Sequence, residues 1–425
     1  MITLSEEQEI VHDGLIKWVV EEKKLKKIRF HIIDSRGRLQ INRETYKSTT
    51  GYAGTGKTTL ISKLKESLEN LGIKRIAFCS FTGKAASVMA KKLNYNPKKD
   101  VLISVSTMHS LMYEPKIQIN PNTGKKEIVG WDKRPDYHIK GLYDLIIVDE
   151  ASTLTLELGL DITSFNIPVL FFGDNGQLPP IGNSNSNVLL NPDFVLKQIH
   201  RQALDNPIIR LSMFVRKHGY IPMGVFDKGL LRISWSHSKT QEIFNNFTPD
   251  ENSMVLCGFN KTRNALNMKI RDRLGFTKNE PYPTDRVICL KNNHETRIMN
   301  GMLGTVAWVS YPNKNTYHLT IQMDGFDDFY SNYVHDSFFG VEKYETEDIQ
   351  YKARLSELRK TEKDAFTIDF FDYGYASSVH KSQGSEWDNG IIFEERTSFW
   401  DDEYYKKWLY TALTRFKNKV CIITK

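Results

Sequence analysis

Apolar positions along this chain follow two periods. Leu145-Ile146-Ile147-Val148 and Val169-Leu170-Phe171-Phe172 are unbroken apolar runs that stop at polar or Gly-rich residues. Such runs read as strands buried on both faces of a parallel sheet. Arg43 to Thr50 can form a further strand, and Thr59 to Leu71 places Leu60, Leu64 and Leu68 on one helix face. The pattern predicts an α/β fold. Lys116–Ile119 and Glu127–Val129 flank Asn120-Pro121-Asn122-Thr123-Gly124, a hairpin signal. Arg286–Leu290, Gly304–Val309 and Tyr317–Met323 are short strands divided by turns, which predicts a small β-barrel. Arg29 to Asn42 reads as two strands around a Ser-Arg-Gly-Arg turn, and Tyr344 to Asp364 is charged and helix-like, without a clear place.

Composition bounds this picture. At 425 residues the chain is too long for one core and suits two to four modules. No apolar run approaches the roughly 20 residues needed to cross a bilayer, and the first residues do not form a signal peptide. Membrane association is therefore not expected. Cys79, Cys257, Cys289 and Cys421 each lie in strand-like apolar runs without a CxxC pair. They read as buried thiols in a reducing cytoplasm. A net charge of +7 is compatible with a polyanionic partner. It is weak evidence alone, because runs such as Lys23-Lys24-Leu25-Lys26-Lys27 read first as solvated helix faces.

Gly51-Tyr52-Ala53-Gly54-Thr55-Gly56-Lys57-Thr58, followed by Thr59, matches the phosphate-loop pattern at every fixed position. Its glycines let backbone N–H groups curl around phosphate oxygens at a helix N-terminus. Lys57 would reach the β- and γ-phosphates, and the Thr58 hydroxyl would ligate magnesium. Asp149 ends an apolar strand and would complete the metal site. Glu150 would accept a proton from the attacking water. Gln177, in Gly173-Asp174-Asn175-Gly176-Gln177-Leu178-Pro179-Pro180, would sense the γ-phosphate. The expected cofactors are ATP and Mg2+.

The ordered motifs resemble superfamily 1 helicases, above all the RecD/Dda-type group of 5′-to-3′ DNA helicases. Beyond the loop and the Asp149-Glu150-Ala151-Ser152 segment, the likeness is carried by Phe81-Thr82-Gly83-Lys84-Ala85-Ala86, Ser106-Thr107-Met108-His109-Ser110-Leu111 and His200-Arg201-Gln202. It continues in Phe259-Asn260-Lys261-Thr262-Arg263, in Ser378 to Glu386 and in Tyr410-Thr411-Ala412-Leu413-Thr414-Arg415. The resemblance implies that Gln8 reads adenine and that Arg201 and Arg415 are arginine fingers on the far side of a cleft from Lys57. For both arginines, ordinary surface ion pairs are the alternative. It further implies that Thr82, Lys84, Thr107, His109, Asn260, His380, Lys381 and Ser382 face a nucleic-acid strand. His109 is equally readable as a core histidine.

The implied architecture is two RecA-like motor domains: 1A, residues 1–112 and 141–190, and 2A, residues 191–283 and 366–425. A hairpin insert, 1B, takes 113–140, and an SH3-like β-barrel, 2B, takes 284–365. The hairpin would serve as a strand-splitting pin, with Trp131 either stacking on a base or packed beneath it. The stretch between Gln8 and Gly51 is longer than the resemblance implies. Arg36 and Arg38 within it read as an added nucleic-acid contact or, more simply, as a surface hairpin.

The expected activity is ATP-dependent unwinding of forked duplex DNA by a monomer moving on single-stranded DNA, with replication or recombination proteins as the partner class. A translocase that strips proteins or remodels forks shares every motor residue. A P-loop switch or kinase shares only the nucleotide loop.

Overall fold

The structure, a computed structural model, describes residues 3–25, 31–33, 39–81, 83–119, 126–180, 188–291, 293, 298, 300–313, 316–324, 329–340, 356, 358 and 367–425. They form two compact units, Met1–Asp205 and Asn206–Lys425. No described helix is long and apolar enough to cross a membrane.

In the first unit, α1 (Glu6–Leu25) leads to the short strands β1 (Ile32–Ile33) and β2 (Leu39–Gln40), then β3 (Tyr46–Gly51) and α2 (Lys57–Asn70). There follow β4 (Ile76–Ser80), α3 (Gly83–Lys92), β5 (Ile103–Thr107), α4 (Met108–Met112), β6 (Tyr113–Ile119), β7 (Lys126–Lys133) and α5 (Asp136–Leu142). The unit ends with β8 (Leu145–Val148), α6 (Leu156–Ser164), β9 (Val169–Gly173), β10 (Phe194–Leu196) and α7 (Arg201–Leu204).

One sheet, ordered β10-β3-β9-β8-β4-β5, is parallel throughout. Successive side chains alternate between its faces. Leu145 and Ile147 pack with Leu60, Leu64 and Leu68 of α2 and Leu15 of α1. Ile146 and Val148 pack with Ile162 and Phe165 on the other face. Burying each such side chain stabilises the unit by about 1.5–3 kcal/mol. The unbroken apolar runs thus reflect burial on both faces.

The expected hairpin is present. β6 pairs antiparallel with β7, from Tyr113 opposite Lys133 to Ile119 opposite Lys126. Its turn and the Trp131 side chain lie outside what is described, as do Arg36 and Arg38. The boundary expected after residue 190 is corrected. β10 adds to the first sheet beside β3, and Asp193 holds Lys47 Nζ at 2.8 Å and Ser48 N at 2.9 Å. The first unit therefore continues to Asp205.

The second unit begins with α8 (Pro207–His218), capped by Asn206 and closed by left-handed Gly219. It continues through β11 (Gly224–Asp227), β12 (Leu230–Ser234), α9 (Ser238–Asn246), β13 (Ser253–Cys257) and α10 (Asn260–Arg273). Next come β14 (Arg286–Cys289), β15 (Leu303–Asn313), β16 (Thr316–Met323), β17 (Phe329–His335), β18 (Ile368–Asp369), β19 (Phe371–Tyr373) and β20 (Ala376–Ser378). β21 (Trp387–Glu394), α11 (Asp402–Leu413) and β22 (Phe416–Thr424) complete it.

A second sheet, β11-β12-β22-β21-β13-β20, is parallel except for the β11–β12 hairpin. A third, β18-β17-β16-β15-β14-β19, is antiparallel apart from the β17–β18 pair. Its two outer strands, β18 and β19, are separated only by Phe370, so the sheet nearly closes on itself as a barrel. Between the two sheets' elements, Arg271 of α10 pairs with Asp285 at 3.0 Å, both fully buried. Its guanidinium also lies 3.8 Å from the centre of the Tyr373 ring. Residues 344–364 fall outside the described set except Ser356 and Leu358, which are helical.

Candidate nucleotide site and nucleic-acid interface

Gly54 and Gly56 adopt φ of +83° and +74°, the left-handed region that a Cβ disfavours. These turns carry the chain from β3 into α2. A Cβ on Gly56 would lie 2.4 Å from Gln8 Nε2, and one on Gly51 would lie 2.6 Å from Thr55 Oγ1. Gly56 is thus constrained by backbone conformation and by its close neighbour, and Gly51 by packing alone. Lys57 Nζ donates to the Gly51 carbonyl at 2.5 Å and to the Tyr52 carbonyl at 3.2 Å. The ammonium is thereby folded over the mouth of its own loop. Thr58 and Thr59 stand in the first turn of α2, with Thr59 exposed.

The strands β3, β9 and β8 are neighbours and parallel, so Lys57, Asp149, Glu150 and Gln177 all follow carboxyl ends of one sheet, where α/β ligands bind. Asp149 N donates to the Cys79 carbonyl at 2.9 Å, and Asp149 Oδ1 accepts from Glu150 N at 2.9 Å. Glu150 has φ +59° and ψ +35°, a left-handed conformation costing about 1–3 kcal/mol in a residue other than glycine. Gln177 is 6% exposed, and its Oε1 has no hydrogen-bond partner among the described residues. A buried amide oxygen in that state costs roughly 1–3 kcal/mol and is a ready acceptor. These features fit a bound nucleotide with magnesium: a cradle of glycines, a hydroxyl at Thr58, a carboxylate at Asp149 and an amide in waiting.

Gln8 is buried rather than an exposed helix residue. Its Nε2 donates to the carbonyls of Thr55 and Gly56, each at 3.2 Å, while Oε1 accepts from Ser5 N at 3.0 Å. His200 N donates to the Gly54 carbonyl at 3.1 Å. Arg201 follows immediately, so its backbone belongs to the same unit as Lys57. The expectation that it stands on the wall opposite Lys57 is corrected: β10 brings the segment to the phosphate loop. The Arg201 side chain lies outside what is described.

Arg415 belongs to the second unit and is 4% exposed. It donates to the carbonyls of Thr411 and Ser385, each at 3.2 Å, and to Thr414 Oγ1 at 3.3 Å. These acceptors are neutral, so the surface ion-pair reading does not describe it.

Of the residues expected to face nucleic acid, Asn260 is exposed in the first turn of α10. His380 Nε2 lies 2.7 Å from Tyr404 Oη, and burial pushes its imidazole below the ordinary value. Lys381 is lowered too, by burial first and then by Arg263, against the opposing charge of Asp372. The Ser382 hydroxyl donates to the Val379 carbonyl at 2.8 Å and is 1% exposed, so it braces its own turn. Thr107 caps α4 by accepting from Ser110 N at 3.2 Å. His109 packs between Phe81 and Tyr113, with ring centroids 6.4 and 5.6 Å away. Thr82 and the Lys84 side chain lie outside the described residues.

Comparison with known proteins agrees with this arrangement. The AAA domain family matches residues 38–220, and the UvrD-like helicase C-terminal domain matches 373–423. The ATP-dependent RecD2 DNA helicase of Deinococcus radiodurans is 26% identical over 392 residues, covering 87% of this chain and 46% of that protein. The ATP-dependent DNA helicase dda of Enterobacteria phage T4 is 23% identical over 422 residues, covering 86% and 91% respectively. A Pif1 helicase from Bacteroides, solved with ADP-AlF3 and ssDNA, has a TM-score of 0.53 and 19% identity over 99% of this chain and 92% of that one. By sequence this chain is similar to the superfamily 1 helicases RecD2 and dda, and its fold is that of the Pif1 structure. It spans less than half the length of RecD2.

Two features of this chain had no local signal in the sequence. One is the clamp of Gln8 and His200 on the phosphate loop. The other is an aromatic row in the second unit: Phe259 stacks on Trp400 at 5.2 Å, and Trp400 contacts Tyr404 at 5.1 Å and Trp408 at 5.8 Å. Each joins residues far apart in sequence through the ends of parallel strands.

Proposed function

We propose that this chain is an ATP-dependent DNA helicase that moves along single-stranded DNA and unwinds duplex. The observation that carries the reading is the convergence of Lys57, Glu150 and Gln177 on the carboxyl ends of adjacent parallel strands, in a chain similar to DNA helicases.

Lys57 and the loop N–H groups would hold the β- and γ-phosphates. Thr58 and Asp149 would hold magnesium, which neutralises phosphate charge. Glu150 would take the proton from the attacking water, and Gln177 would bond the γ-phosphate or that water. Arg201 and Arg415 would stabilise charge in the transition state. Nucleotide turnover would alternate the grip of Lys381, Asn260 and their neighbours on backbone phosphates, which carry no sequence information. The β6–β7 hairpin would act as the pin, and the barrel-like sheet as the SH3-like 2B element. The RecD/Dda likeness supports 5′-to-3′ travel.

The test is ATP hydrolysis with and without single-stranded DNA, followed by unwinding of duplexes carrying a single 5′ or 3′ tail. Stimulated hydrolysis and unwinding from the 5′ tail are expected. Stimulated hydrolysis with streptavidin displacement but no unwinding would identify a translocase. Absence of any stimulation would leave only a nucleotide-binding protein. A Lys57→Ala protein should lose turnover in every arm.

A further inference from the structure

We propose that Phe399, with the stacked pair Phe259–Trp400, forms a nucleobase-stacking site for single-stranded DNA on the second unit. The proposal rests on the helicase reading above and assigns it a base-contacting element.

Phe399 is 93% exposed, in the loop between β21 and α11. A lone exposed apolar residue is ordinary, but this one adjoins a braced aromatic row. Trp400 lies on Phe259 with ring planes 29° apart and is backed by Tyr404 and by Trp408, which is fully buried. Tyr404 is in turn tied to His380. The loop is held by Trp400 N donating to the Thr397 carbonyl at 3.1 Å. Trp400 is held in this row by its ring contacts, and Phe259 itself remains 37% exposed.

The position is one that α/β proteins commonly use for ligands. Gly258 and Phe259 follow β13, and Glu395 to Trp400 follow β21, its parallel neighbour, so the aromatic row stands beyond strand carboxyl ends.

Local charge permits a polyanion despite four nearby carboxylates. Glu395 accepts from Gly258 N at 2.7 Å and Phe259 N at 3.2 Å. Asp401 caps α11 through Tyr404 N at 2.7 Å. Asp402 pairs with Arg396 at 2.5 Å, and Glu403 with Lys406 at 2.8 Å. Each carboxylate has a donor of its own, while Asn260 and Lys261 remain exposed beside Phe259. Phosphates suit that polar edge, and bases suit the rings. Aromatic faces accept any base, so the site should bind without sequence preference.

The experiment measures anisotropy of a labelled oligothymidylate and of an abasic strand of equal length, with the wild-type chain, Phe399→Ala and Phe399→Trp. The wild type should bind the thymidylate more tightly than the abasic strand. Phe399→Ala should weaken thymidylate binding about 5- to 150-fold, the range expected for one lost stack, and leave abasic binding unchanged. Phe399→Trp should restore the preference. Unchanged thymidylate binding by Phe399→Ala, or equal loss on both strands, would overturn the stacking site while leaving the helicase reading intact. A wild-type chain that binds neither strand and shows no DNA-stimulated hydrolysis would overturn both.

Discussion

The side-chain amide of Gln8 donates to the Gly56 carbonyl across 3.2 Å, joining the first helix of the chain to the turn that carries Lys57. Both amide protons are engaged, on Thr55 and Gly56. Gln8 therefore acts on the shape of the phosphate loop. Removing it would leave the Thr55 carbonyl without that donor, at about 1–3 kcal/mol, while the Gly56 carbonyl keeps its bond from Leu60 N. Gln8→Ala is expected to lower the urea midpoint and to raise KM for ATP and GTP together. A rise confined to ATP would instead mark an adenine contact. Steady-state hydrolysis of both nucleotides separates the two.

Glu150 stores strain where the proposed proton acceptor sits. Its left-handed backbone would be relaxed by glycine, with a stability gain of about 1 kcal/mol. Glu150→Gly is therefore expected to raise Tm while losing hydrolysis. Glu150→Gln keeps the side-chain shape and the strain, so Tm should stay near wild type while kcat falls about 100-fold or more. Equal turnover in Glu150→Gln and wild type would remove Glu150 from the chemistry.

The nucleotide loop was legible in the sequence because its requirements are local. Left-handed glycines, a lysine and a hydroxyl at a helix start sit within eight consecutive positions. The apolar runs at Leu145 and Val169 were legible because both sheet faces are covered. The limit of the first unit was not, because β10 is three residues long and joins β3 from far along the chain. That same crossover places Arg201 in the unit of Lys57. Thr107 and Ser382 fit a motif, but a hydroxyl that caps a helix and one that contacts phosphate look alike in a sequence. The row from Phe259 to Trp408 needs three-dimensional adjacency to be seen at all.

Two half-buried imidazoles set a pH dependence. Burial lowers His109, against a smaller opposing pull from Glu157, and burial lowers His380. The unfolded chain titrates near the ordinary value of 6.5, so it binds protons before the folded chain does as pH falls. The stability these groups allow is complete above that value and is lost as pH drops through their folded values. The urea midpoint should fall between about pH 8 and about pH 5.5. A His109→Gln, His380→Gln double variant should show a smaller fall. An identical fall in both proteins would mean that neither imidazole is charged at a cost.

Arg415 combines deep burial with acceptors that carry no charge, the Thr411 and Ser385 carbonyls and the Thr414 hydroxyl. A guanidinium held by neutral acceptors can turn to an anionic partner that arrives during the cycle, and the proposed partner is the γ-phosphate. Structure and chemistry then make different demands on the same side chain. Arg415→Ala should lower Tm, because the buried Ser385 carbonyl loses its donor while the Thr411 carbonyl keeps the Thr414 hydroxyl. It should also lower kcat about 1,000-fold, the scale of a lost arginine finger. Arg415→Lys retains the charge but not the planar fork. It should recover much of the stability and little of the turnover, with ATP binding near wild type in a fluorescent-nucleotide titration. Turnover that instead tracks Tm across both variants would make Arg415 a brace of its own helix end and nothing more.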